Sequence, residues 1–110
     1  MADYMMQISY TPEAWAALIQ KPQDRTEAVK KVIEALGGKM QNFWMCFGEA
    51  DLIGIVEMPN NVSAAAFAMA ISAGGACKSF KTTPLLKLED CMKAMKKAAT
   101  CGYTPVTKTE

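Results

Sequence analysis

Lys39-Met40-Gln41-Asn42-Phe43-Trp44-Met45-Cys46-Phe47-Gly48-Glu49-Ala50-Asp51-Leu52-Ile53-Gly54-Ile55-Val56-Glu57-Met58 is the stretch that decides the fold. Residues 39–47 and 51–58 are aromatic or β-branched, and Gly48-Glu49-Ala50 joins them. Two such runs around a short glycine-containing connection predict an antiparallel hairpin.

Upstream, Gly37-Gly38 closes the clearest helical pattern of the chain, in which Val29, Val32, Ile33 and Leu36 repeat at i, i+3, i+4 and i+7. Glu27, Lys30, Lys31 and Glu34 line its other side. Asp24 followed by Glu27 reads as a capping-box-like start, and Pro22 predicts a break from an earlier helix carrying Trp15, Leu18 and Ile19 on one face. That earlier helix opens with Thr11 as N-cap, Pro12 at the first position and Glu13 on the positive end of the dipole. Residues 3–10 before it read as a first strand with imperfect alternation.

Downstream, Pro59-Asn60-Asn61 stops the hairpin, and Asn60 or Asn61 caps a helix over 62–73 that closes at Gly74-Gly75. This helix carries no charge on any face, which points to cover on more than one side. Residues 76–87 read as a fourth strand. Pro84 restricts it to an edge or a bulge, because proline cannot donate to a central ladder. Leu88, Cys91, Met92 and Met95 mark a last amphipathic helix, and 100–110 reads as a loosely ordered tail.

The resulting order, βαββαβ plus a C-terminal helix, predicts one α+β domain over 1–99 of ferredoxin-like type, with a four-stranded antiparallel sheet and helices on one face. The other face is left open. It is expected to present either Phe43, Met45, Phe47, Ile53 and Ile55 or Trp44, Cys46, Leu52 and Val56. Two such faces packed together would make a dimeric α+β barrel, so a homodimer or higher homo-oligomer is expected.

The chain has 110 residues, 51% of them apolar and 21% charged, which suits one folded domain. Its net charge of +1 is spread over alternating lysines and acids, giving no footprint for nucleic acid. No apolar run approaches the roughly 18 residues needed to span a bilayer, and the N-terminus lacks a signal-peptide pattern. Neither nucleic acid nor membrane is an expected partner, and the cytoplasm is the expected compartment. Four scattered cysteines without a C-x-x-C pair, in a chain with no histidine, argue against zinc and Cys-His chemistry, so no metal is expected. No phosphate-cradling loop or cofactor fingerprint occurs, and no cofactor is expected.

From Tyr10 to about Leu88 the sequence resembles the GYD domain family, named for a G-x-Y-D turn between its second and third strands. Here that turn is Gly48-Glu49-Ala50-Asp51, with Ala50 where the family has tyrosine. Leu36-Gly37-Gly38-Lys39, Glu57-Met58-Pro59-Asn60 and Lys81-Thr82-Thr83 carry the rest of the likeness. The resemblance implies a ferredoxin-like fold of the dimeric α+β barrel type and does not imply a reaction. The hairpin and the helix after it also look like the effector domain of Lrp/AsnC regulators, which bind small ligands between subunits, although no helix-turn-helix precedes them here.

Asp51 and Glu57 share a strand face but lie about 20 Å apart by strand rise, too far to act as one acid/base pair. Asp51 is either a turn residue satisfying backbone N–H groups or a site carboxylate. Glu57 is either solvated or a pocket acid, and Lys81, with Thr82 and Thr83, would be its basic neighbour. Tyr10, Trp15 and Trp44 are core side chains or pocket walls. The leading expectation is a small-molecule binding protein with its ligand at a subunit interface or barrel cavity near the hairpin, touched by Gly48, Asp51, Trp44, Tyr10, Trp15, Lys81 and Thr83. A cofactor-independent enzyme of monooxygenase or isomerase type, using Glu57 or Asp51 with Lys81, is the alternative. A structural or interaction subunit contacting through the 62–73 helix is the third.

Overall fold

A computed structural model describes residues 1–107. The chain runs β1 (Ala2–Tyr10), α1 (Pro12–Gln20), α2 (Thr26–Ala35), β2 (Lys39–Met45), β3 (Leu52–Met58), α3 (Asn61–Ala73), β4 (Cys77–Leu85) and α4 (Leu88–Ala99). The four strands form one antiparallel sheet in the order β2-β3-β1-β4. This is the expected α+β, ferredoxin-like arrangement, and Pro84 does lie on an edge strand, opposite Tyr4.

Local signals set the element ends. The Thr11 hydroxyl accepts the Ala14 N–H at 3.1 Å with Pro12 next in the chain, and Asn60 Oδ1 accepts the Ser63 N–H at 2.9 Å. Gly37, at φ +83°, ends α2 in the left-handed region that glycine enters without a Cβ penalty. At the start of α2 the capping box is only half built. Asp24 Oδ1 accepts the Thr26 N–H at 2.8 Å, but Arg25 is the N-cap and makes no side-chain cap bond. Strands β2 and β4 are each shorter than the expected 39–47 and 76–87. Residues 100–107 form neither helix nor strand, and 108–110 of the expected tail lie outside the described residues.

Tyr4, Met6, Val56 and Met58 of the sheet meet Ile33 of α2 and Ala64 and Phe67 of α3, all nearly or wholly inaccessible. Phe67 and Phe80 pack edge to face with centroids 5.7 Å apart. One side of the uncharged α3 is thus core. Its other side leaves Val62 and Met69 exposed.

The hairpin register corrects both expected groupings of its side chains. Trp44 stands opposite Ile53, Phe43 opposite Gly54 and Met45 opposite Leu52, so odd positions of β2 share a face with even positions of β3. Gln41 is an extra residue between the pairs Met40–Val56 and Asn42–Ile55, and this bulge shifts the alternation once more. Phe43 and Met45 therefore lie with Leu52 and Val56 on the helix face. Trp44 lies on the open face with Ile53 and Ile55, joined from β1 by Met5, which pairs with Ile55.

Candidate functional site

At the hairpin end of the sheet, the five residues that separate α1 from α2, Pro22 and four polar ones, leave the helical layer incomplete. A cleft of about 600 Å³ opens there. Leu18 of α1, Val29 of α2, and Phe43, Met45 and Leu52 of the hairpin supply apolar walls, while Tyr10, Gln23, Arg25 and Thr26 add polar groups. Trp44, on the edge strand and half exposed, also contributes to the lining.

Asp51 fixes one wall of this cleft from behind. Its Oδ2 accepts the Tyr10 backbone N–H at 2.9 Å and the Trp15 Nε1–H at 3.2 Å. The Trp15 ring then meets the Tyr10 ring edge to face, with centroids 5.3 Å apart at 81°. The Asp51 backbone is held as well, donating to the Ile8 carbonyl at 2.8 Å and accepting from the Cys46 N–H at 2.9 Å. One carboxylate thereby joins the end of β1, the first turns of α1 and the start of β3. A short side chain in the turn suits this packing, since Ala50 is buried and its carbonyl receives the Cys46 thiol.

Burial pushes the Tyr10 phenol above its ordinary value, the Cys77 thiol and Asp51 add to the rise, and the Arg25 guanidinium opposes it. Tyr10 is therefore a neutral hydroxyl at physiological pH, able to donate or accept. The Thr26 side chain and backbone N–H hold the Asp24 carboxyl below its usual range. Burial also raises the Cys77 thiol, which lowers its reactivity.

The residues singled out in the sequence fall into two groups. Tyr10 and Trp44 line the cleft, Trp15 and Asp51 stand behind Tyr10, and Gly48 lies exposed in the hairpin turn. Glu57, Lys81 and Thr83 belong to the open face instead. Glu57 accepts the Gln41 side-chain amide at 2.9 Å, and the same amide reaches Asp3 at 3.1 Å. Lys81 pairs in register with Gln7, and Glu57 with Asp3, four residues along and two strands across. Strand geometry puts Glu57 and Lys81 about 16 Å apart, so they are not assembled as an acid and its charge partner. Lys81 borders only a shallow depression with Gln7, Ser9, Glu49, Ala50 and Ser79.

Arg25, Gln23 and Leu18 were missed because their part depends on how two helices meet. The available signal was the segment Pro22-Gln23-Asp24-Arg25, four helix-breaking or polar residues set between two apolar helix faces. Among the described residues, no group of three His, Cys, Asp or Glu side chains could hold a metal. Among the described residues, no helix is long and apolar enough to cross a membrane.

The model of the GYD domain family matches residues 4–95. No curated protein matches the chain.

Proposed function

The chain belongs to the GYD domain family, and on that premise we propose that it is a homodimeric small-molecule binding protein whose ligand enters the cleft between α1, α2 and the hairpin. The observation that carries this reading is the cleft itself. Its volume of about 600 Å³ falls within the roughly 300–1,000 Å³ of small-molecule sites, and apolar walls with a few convergent polar groups are the usual make-up of such sites. The ligand chemistry that fits is an apolar body lying against Leu18, Val29, Phe43 and Leu52, with a polar end toward the Tyr10 hydroxyl and Arg25.

Binding is favoured over catalysis because both carboxylates at the cleft are already engaged: Asp24, in the lining itself, accepts the Thr26 N–H at 2.8 Å. Asp51 spends one oxygen on two N–H groups, and a general base must be free to accept a substrate proton. Self-association is the second part of the reading. The open face carries Met5, Ile53, Ile55 and half-exposed Trp44, which the helices of the same chain do not cover. At about 25 cal/mol per Å², covering several hundred Å² on each subunit contributes on the order of 10 kcal/mol before association costs.

The experiment is a thermal-shift screen of small carboxylates, aromatics and amino acids on the purified protein, repeated on Val29→Trp, which fills the cleft. A ligand that binds only the folded state raises the melting temperature. The reading expects hits whose shift disappears in Val29→Trp. Hits that persist unchanged in that variant, or none across the library, would overturn it.

A further inference from the structure

Helix α4 is well formed but has no packed side. None of its residues is buried, and Leu88, Met92 and Met95, at i, i+4 and i+7, are 85%, 54% and 57% exposed. The described chain measures 64 × 32 × 22 Å with a radius of gyration of 18.1 Å, against about 13 Å for a compact chain of this length. An isolated helix of 12 residues is marginal in water, so this one needs something to lie on.

A second exposed apolar cluster sits at the opposite end of the sheet. Met45 and Phe47 are 59% and 100% exposed at the hairpin tip, a position where polar residues are the norm. The two clusters cannot meet within one chain. Leu85 precedes α4 at the end of β4 beside Asp3, whereas Met45 and Leu52 mark the far end of β2 and β3. A two-fold axis brings each cluster of one subunit to the other cluster of its partner, which is how an isologous interface pairs unlike patches.

We propose that α4 is an exchanged arm whose Leu88, Met92 and Met95 stripe docks on Met45 and Phe47 of a second copy of this chain. Charge agrees with this pairing. The second half of α4 carries Lys96 and Lys97 and no acid, while the hairpin turn carries Glu49 and no base. Area agrees as well. Arm and tip together expose on the order of 800 Å² per subunit, the roughly 800 Å² each partner contributes to a stable interface. Met45 also lines the cleft, so the docked arm covers its mouth and makes the second subunit part of the site. The association itself does not depend on the ligand-binding reading.

The test is a double-mutant cycle on dimer dissociation, followed by analytical ultracentrifugation, with far-UV circular dichroism to establish that each variant keeps its fold. Met92→Lys with Met95→Lys alters the arm, and Phe47→Lys alters the tip, both at exposed positions the monomer core does not use. Each change is expected to raise the dimer Kd at least tenfold, with the combined variant much less affected than the product of the two. A wild-type mass near 12.0 kDa, a Kd within twofold of wild type for the arm variant, or fully multiplicative effects would each overturn the proposal.

Discussion

Replacing Gly54 by alanine sets two physical effects against each other, and the packing of the cleft decides the sign. Gly54 stands in the middle of β3 with the Phe43 ring of β2 lying over it. A Cβ at this position would come within 2.3, 2.5 and 2.6 Å of Phe43 Cε1, Cδ1 and Cζ. Ordinary carbon contacts are about 3.5–4.0 Å, so the ring has to retreat by at least about 1 Å. Overpacking of this kind costs about 1–3 kcal/mol, whereas removing a strand glycine returns about 0.4–1 kcal/mol of unfolded-state entropy. The net expectation for Gly54→Ala is a loss of about 1–2 kcal/mol, or a melting temperature lower by roughly 5–10 °C at fixed protein concentration. In a Phe43→Ala background the clash is absent, and the same substitution becomes neutral or stabilising. Calorimetry on the four proteins of this cycle checks the reasoning. A Gly54→Ala protein that melts higher than wild type while Phe43 is present would refute it.

Neighbouring residues on β3 should fail in different ways. Ile55→Lys, on the open face, keeps the fold and lowers the mass of the assembly in light scattering. Val56→Lys, wholly inaccessible in the core, costs at least about 4 kcal/mol and leaves little folded protein by circular dichroism. Asp51→Ala leaves the Tyr10 and Trp15 N–H groups without their acceptor and should cost about 2 kcal/mol in urea unfolding. The raised Tyr10 phenol fixes a pH dependence, because the native state keeps that proton after the unfolded chain, titrating near pH 10, has lost it. Stability contributed by Tyr10 is complete below about pH 10 and is lost as pH rises through the native value. Tyr10→Phe should remove that part of the alkaline slope in denaturation measured from pH 9 upward.

Local chemistry made most of the fold legible. Thr11 and Asn60 cap as their side chains dictate, Gly37 takes the conformation that ends a helix, and Pro84 restricts β4 to an edge. The facing of the hairpin was not legible, because it depends on how many residues stay unpaired in the turn and on the Gln41 bulge. Pairing Trp44 with Ile53 rather than with an even neighbour reverses one strand against the other. The cleft was half legible. Tyr10, Trp15, Trp44 and Asp51 carry recognisable chemistry, whereas Leu18, Val29 and Arg25 become site residues only when the Pro22 break parts α1 from α2. Helix α4 announced an apolar stripe through Leu88, Met92 and Met95, but periodicity does not say whose surface the stripe meets.

The account places ligand on the helix face of the sheet, and chemical-shift mapping with a bound small molecule tests that most directly. With the best thermal-shift hit added to ¹⁵N-labelled protein, the Leu18, Val29, Phe43 and Met45 amides should move, while Lys81, Thr83 and Glu57 stay fixed. Perturbations confined to Lys81, Thr83 and Glu57, with the cleft silent, would contradict it.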